Sequence, residues 1–450
     1  MTIPETFAGL DKATIIERDE HTISRQDIAP NALKVLYRLS EHGHAAYLVG
    51  GCVRDLLLRG KPKDFDVATD ATPEQIRELF RNARIIGRRF KIVHIRFGRE
   101  IIEVTTFRAH HDASTEIDDS TSRRDIRGLD SARSNAGMLL RDNVYGQIDE
   151  DAMRRDFTVN ALYYTTDRFR VLDFCNGLAD LKARQLRMIG NAEKRYREDP
   201  VRMLRAVRFA AKLGFQIEPD TERPINELSP LLASISPARL FDETMKLMTN
   251  GHAVESFSLL TRYRIGEHLF APTLEALPNA PIASVKLVDL ALANTDIRLA
   301  EGKSVTPAFL FAALLWPVLQ LRLAGTEDEA TSSLSFNQLC NSVILEQLDY
   351  TAIPRRFSIA TREIWDLQNR LVKRNKRTVN SVFNHPRFRA GYDFLLLRED
   401  AGEDLQGLGD WWTRFQEGDP STRNEMIDGL QKSGNRKRRR SKGKRKEQSQ

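Results

Sequence analysis

Residues 48–66 read LVGGCVRDLLLRGKPKDFD, and the order of chemistry along them decides the fold of the first part of the chain. AAYLV (45–49) is a short apolar run bounded by Gly50-Gly51, the pattern of a buried strand entering a tight turn. CVRDLLLRG predicts a short helix closed by Gly60, and DFDVAT a second strand. Alternate side chains of a strand share a face, which sets Asp64 and Asp66 together and sends Phe65 to the buried side. Two adjacent carboxylates repel each other, a cost that a divalent cation removes. Gly50-Gly51 lets backbone amides approach an anion, with Arg54 on the helix just behind. An isolated Asp-x-Asp is usually a solvated strand end, and an isolated Gly-Gly is simply a turn. In strand–turn–helix–strand order they form a layout that holds a nucleoside triphosphate with Mg2+.

Outward from this stretch, short strand-like and helical runs alternate as far as about residue 189. Thr72 caps a helix with Pro73 at its first position and Gln75 three residues on. KIVHIRF and EIIEVTTF, separated by Gly98-Arg99, predict a hairpin. Residues 110–136, rich in Asp, Ser, Thr and Arg, read as a mobile surface loop. Strand signals then fade: Asp199-Pro200 and Pro237 open helices, and 305–323 reads as one apolar helix. The fold class is α+β. A polar extension (1–30) precedes a mixed α/β head (31–190), a helical neck (191–279), a helical body (280–430) and a disordered basic tail (431–450).

At 450 residues the chain exceeds what one core supports. Its net charge of +7 comes from 69 basic and 62 acidic residues. Nine of the basic residues and one acid, Glu447, lie in 433–450, leaving 60 against 61 elsewhere. The excess charge thus belongs to one tail, suited to single-stranded phosphates without sequence preference. The apolar run 308–316 is too short to span a bilayer, and 1–20 lacks the marks of a signal peptide. Cys52, Cys175 and Cys340 are too scattered for a disulfide framework or a zinc motif. The chain reads as cytoplasmic.

LVGGCVRD followed by KDFD resembles the head motif of class II template-independent nucleotidyltransferases, the bacterial poly(A) polymerases and tRNA CCA-adding enzymes. DEDAMRRDFTVNALYY (149–164), DFCNGLADLKARQLRMIG (173–190) and YREDPVRMLRAVRFAAKLGF (196–215) continue the likeness in order. The resemblance implies Asp64 and Asp66 as ligands of two Mg2+ ions and Asp156 as a further catalytic residue, with Glu103 as its rival. It implies nucleotide binding by Gly50, Gly51, Arg54, Arg155, Arg205 and Arg208, and base-edge reading by Glu198, Asp199 and Arg202. On a helix, Arg202, Arg205 and Arg208 span about 120°, opposite Met203, Leu204, Val207, Ala210 and Ala211.

IIGRRFKIVHIRF (85–97) is similar to the segment marking bacterial poly(A) polymerases, with Gly87, Arg88, Arg89, Phe90 and His94 in matching places. The implied activity is addition of AMP from ATP to RNA 3′-ends with release of pyrophosphate, promoting RNA processing and decay. Implied partners are single-stranded RNA, ATP and RNA-decay or RNA-chaperone proteins. The alternatives are a CCA-adding enzyme and a non-catalytic RNA-binding descendant of the family.

Overall fold

The computed structural model describes residues 9–87, 91–109, 115–117, 131–134, 139–142, 144–325, 335–374 and 376–430. The chain divides into two compact units, Met1–Leu231 and Leu232–Gln450.

The first unit is built on an eight-stranded sheet: β1 (Thr14–Ile16), β2 (Ala46–Val49), β3 (Asp66–Thr69), β4 (Ala83–Ile86), β5 (Ile92–Phe97), β6 (Glu100–Thr106), β7 (Leu162–Tyr164) and β8 (Val171–Asp173). Their order across the sheet is β1-β8-β7-β2-β3-β6-β5-β4. Only β3 and β6 pair in parallel; the other neighbours are antiparallel. The parallel step needs a crossover, supplied by helix α3 (Pro73–Leu79) and strands β4 and β5. Thr72 and Gln75 form the reciprocal cap of α3 that the sequence predicts. The β5–β6 hairpin turns at Gly98, whose φ is +63°.

One face of the sheet buries Tyr47, Val49, Ala68, Tyr163 and Leu172 with Ile148 and Ala152 of α4 (Ile148–Arg154). Helix α1 (Pro30–Glu41), its apolar stripe Ala32, Val35, Leu36 and Leu39 buried, packs on β2, β3 and β6. The N-terminal segment departs from the expected extension, because Thr14–Ile16 pairs with β8 at the sheet edge. A three-residue strand is too short to show alternation, and Lys12 ties the segment down through Asp149 at 2.6 Å. The segment 110–136 also departs from a plain loop: Thr115–Ile117 and Ser131–Ser134 join Leu139–Asp142 in a small sheet. The rest of that segment, like Arg88–Arg89–Phe90 and the basic tail, lies outside the described residues.

Among its described residues the second unit contains no strand. Ser236 caps the helix opened by Pro237. The apolar stretch expected as one helix is two, Pro307–Leu314 and Trp316–Ala324, bent by 41°. Pro317 lacks an N–H and its ring clashes with the preceding turn, so the helix must restart around it. Both pieces bury most of their apolar residues in the unit's core, and no single helix among the described residues is long and apolar enough to cross a membrane.

Candidate active site

The site grows from the end of β2. Gly50 follows Val49 with φ +79° and ψ −134°, a region closed to residues with a side chain, and its successor Gly51 starts α2 (Gly51–Leu57). A Cβ on Gly50 would meet Arg155 Nη1 at 3.7 Å, so the turn directly faces that guanidinium. Val49 pairs with Asp66, the first residue of β3, and Asp66 in turn pairs with Glu103 on β6. Phe65 is buried and Asp64, just ahead of the strand, is exposed.

Burial, and behind it the negative charges of Glu103 and Asp64, push the Asp66 carboxyl up to about 6; Arg155 pulls the other way. These groups therefore share one electrostatic neighbourhood in which negative charge is in excess. Among the described residues no three His, Cys, Asp or Glu side chains are gathered closely enough to hold an ion unaided. That donor set fits Mg2+, which takes one or two carboxylates and completes its shell with water and substrate phosphate. His94 on β5 bonds Glu103 through Nε2 at 3.1 Å, bracing it from the strand beyond.

Opposite the acids stands positive charge. Arg155, at the end of α4, donates to Asp151 Oδ2 from Nη2 at 2.9 Å and to the Tyr163 hydroxyl from Nε at 2.9 Å. Burial opposes its charge, but Tyr163 and Asp151 outweigh burial and raise its pKa. Arg154 is depressed to about 9 by burial and by Arg108, Arg195 and Arg202. Arg195 is depressed to about 10 by burial and then by Arg202, against the pull of Glu198. Burial, and behind it the mutual repulsion of these guanidiniums, leaves positive charge concentrated at this turn.

Helix α5 (Ala192–Glu198) and helix α6 (Val201–Leu213) meet at Asp199-Pro200, where proline forces the preceding residue out of helical geometry. Arg195 reaches back from α5 to the turn after α4, donating from Nη2 to the carbonyls of Arg154 (2.6 Å) and Arg155 (2.5 Å). Its Nη1 and that of Arg202 both reach Glu198 Oε2 at 3.1 Å. Arg202, Arg205 and Arg208 lie half-buried along one side of α6, while Met203, Leu204, Val207, Ala210 and Ala211 are buried on the other.

Asp156 has both oxygens engaged. Oδ2 accepts from Arg205 Nε (2.7 Å) and Nη2 (2.5 Å), and Oδ1 accepts from the Asn160 amide (3.1 Å) and the Phe157 N–H (2.8 Å). Burial alone would raise its pKa; Arg205 and these hydrogen bonds reverse that and lower it. Arg54 is 1% exposed, with Nε and Nη2 on Asp55 and Nη1 on Asn160 at 2.5 Å. Its guanidinium lies against the Phe209 ring, as do those of Arg205 and Arg208.

The structure thus brings Gly50, Asp64, Asp66 and Arg155 together with Glu103, and joins Asp156 to Arg205. Arg54 lies behind the glycine turn with its donors occupied. Sequence reasoning did not single out Arg108, Arg195 or Asn160. Arg195 stands one residue before the YRED match; besides the nearby Glu198 it holds backbone carbonyls forty residues away, which no side-chain pattern announces.

Comparison with known proteins identifies the family. Residues 46–187 match the poly A polymerase head domain, 214–277 the "Probable RNA and SrmB- binding site of polymerase A", and 328–446 the polymerase A arginine-rich C-terminus. Poly(A) polymerase I of Escherichia coli O6:H1 is 47% identical over 441 residues, covering 97% of this chain and 92% of that protein. A CCA-adding enzyme of Lactobacillus helveticus is 33% identical over 288 residues, 60% of this chain and 66% of that one. The fold is shared with a Thermotoga maritima CCA-adding enzyme complexed with tRNA: TM-score 0.54 at 19% identity, over 88% of this chain and 84% of that one. With nearly its whole length aligned at close to half identity, the chain belongs to the bacterial poly(A) polymerase family of template-independent nucleotidyltransferases.

Proposed function

We infer that the protein extends RNA 3′-ends with adenylate, taking AMP from ATP and releasing pyrophosphate without a template. The observation that carries this reading is the pairing of Asp66 with Glu103 in one sheet, within the field of Arg155, whose guanidinium the Gly50 turn faces. Asp64, Asp66 and Glu103 would hold Mg2+, two ions in our proposal. Bound Mg2+ supplies charge neutralisation at the phosphates and acidifies the attacking 3′-hydroxyl. The Gly50 turn and Arg155 receive the triphosphate, whose negative charge relieves the repulsion around Arg154 and Arg195. Such preorganised charge, aimed where the reaction builds negative charge, does most of the work in phosphoryl transfer.

We assign Glu103, in preference to Asp156, as the third acid. Asp156 has both oxygens occupied by donors, and it positions Arg205 for the nucleotide. Arg54 positions the turn and Asn160. Glu198, Asp199 and Arg202 read the base edge, where Arg suits because its planar fork donates in fixed directions. Residues 191–279 serve as a neck and 280–430 as a body, with 431–450 as an RNA-tethering tail. The working compartment is the cytoplasm, alongside RNA-decay or RNA-chaperone proteins.

Extension assays with each labelled nucleotide test the reading. ATP should be added repeatedly to a generic RNA 3′-end. Equal or better incorporation of CTP into tRNA lacking its CCA would favour the CCA-adding alternative. Intact RNA binding with no incorporation of any nucleotide would favour a non-catalytic descendant.

A further inference from the structure

Three guanidiniums of the candidate site converge on one side chain, Phe209. It lies four residues after Arg205 and next to Arg208 on α6, at the border between the arginine side of that helix and its buried side. The guanidinium carbons of Arg208, Arg54 and Arg205 stand 4.9, 5.2 and 5.5 Å from the centre of its ring. Arg54 comes from α2, the helix that the glycine turn opens. The ring itself is half-buried, and behind it Phe157, fully buried, stands nearly perpendicular at 5.8 Å and 81°.

These contacts close a circuit. Arg54 donates to Asn160 Oδ1 at 2.5 Å, Asn160 donates to Asp156 Oδ1 at 3.1 Å, and Asp156 Oδ2 accepts from Arg205 Nε at 2.7 Å. Arg54 and Arg205 then meet again on the Phe209 ring. The circuit reaches the glycine turn, because a Cβ on Gly51 would lie 3.4 Å from Arg54 Nη2. It thus ties that turn to the helix carrying Arg205 and Arg208, two segments far apart in the chain.

A half-buried phenylalanine at a helix interface usually only fills space, and its contact with Phe157 is of that kind. Filling space does not gather three cations around one ring. Like charges repel, and an aliphatic side chain would pack against Phe157 without drawing them in. An aromatic face attracts guanidiniums through its quadrupole. A carboxylate would gather them too, but it would cancel the charge they offer a phosphate, whereas the ring adds none. We propose that Phe209 is a positioning residue for nucleotide addition. It holds Arg54, Arg205 and Arg208 at a fixed mutual spacing and sets the glycine turn against α6. The ring touches no reacting atom and acts through the arginines. The inference rests on the polymerase reading in that Arg205 and Arg208 serve the nucleotide.

Calorimetric titration of the full-length protein with tripolyphosphate and Mg2+, alongside steady-state kinetics of AMP addition, tests this. Phe209→Leu and Phe209→Met keep an apolar side chain of useful size but remove the ring. Both should weaken tripolyphosphate binding roughly tenfold and raise KM for ATP by a like factor, with kcat within about threefold of the parent. Phe209→Tyr or Phe209→Trp, which retain an aromatic face, should restore both quantities. In an Arg208→Gln background, with one fewer charge to hold, Phe209→Leu should cost less than it does alone. Unchanged tripolyphosphate affinity and KM in Phe209→Leu and Phe209→Met would overturn the proposal. So would equal defects in the aromatic and aliphatic variants, or a Phe209→Leu loss that adds in full to that of Arg208→Gln, since either marks simple packing. Failure of the polymerase reading would look different: no AMP transfer by the parent, with ring-dependent tripolyphosphate binding intact.

Discussion

Two nitrogens of Arg205 converge on a single oxygen of Asp156, at 2.7 and 2.5 Å, while the other oxygen is held by Asn160 and the Phe157 N–H. The carboxylate therefore fixes the guanidinium in place. Asp156→Asn should cost about 2–3 kcal/mol, less than a fully buried pair because the Arg205 side chain is 35% exposed. Thermal denaturation of Asp156→Asn, Arg205→Gln and the double variant checks this: the double variant should lose less than the sum of the singles. KM for ATP should rise more than kcat falls.

Asp66→Asn and Glu103→Gln should each lower kcat by roughly 10²–10³-fold, the loss of several kcal/mol of charge stabilisation, with RNA affinity intact. Mg2+ titration of the residual activity should be shifted to higher Mg2+ concentration in both, since each has lost an anionic ligand. An Asp156 variant that shifted Mg2+ dependence while Glu103→Gln did not would reverse the assignment.

The Asp66 carboxyl, pushed up to about 6 by burial and by Glu103 and Asp64, makes metal-free stability pH-dependent. A carboxyl whose folded pKa exceeds its unfolded value stabilises the fold below the unfolded value, and that contribution is lost as pH rises through about 6. In EDTA, Tm should carry this loss between about pH 4 and 7. Added Mg2+, which favours the ionised form, should raise Tm more at pH 7 than at pH 5. Calorimetry at fixed ionic strength measures both.

Gly50→Ala should destabilise the protein by about 1–3 kcal/mol, since alanine is strained at φ +79°. It should raise KM for ATP because the turn faces Arg155. Urea melts alongside initial-rate kinetics separate the two effects.

Removing residues 435–450 should weaken RNA binding and flatten its salt dependence by at most about 6 in log–log slope, nine cations at 0.7 each. Addition of one nucleotide to saturating RNA should persist. Filter binding across a salt series reads the first effect and single-turnover extension the second.

The stretch from Leu48 to Asp66 was legible because everything that shapes it is local: an apolar strand, two glycines, a short helix and an alternating acid pair. The capped α3 and the β5–β6 hairpin were legible for the same reason. What stayed hidden depends on residues far apart in the chain. That Asp156 is saturated follows from Arg205, 49 positions on, and Arg195 holds the carbonyls of Arg154 and Arg155 across about forty. Arg54 sits among the buried residues Cys52, Val53 and Leu56 of α2, a position that turns it inward whatever its charge suggests. Thr14–Ile16 was missed because a strand of three residues at a sheet edge leaves almost no pattern.

The parallel pairing of β3 with β6 has a kinetic consequence. Asp66 and Glu103 become neighbours only after the intervening crossover has closed, and such non-local pairing is slow because loop entropy must be overcome first. If Asp66 and Glu103 hold Mg2+ as proposed, a nascent chain still short of β6 carries the DFD signature without the cation affinity. Acquisition of Mg2+-dependent protection during synthesis would therefore mark completion of the sheet, making the metal a reporter of maturation as well as a reagent.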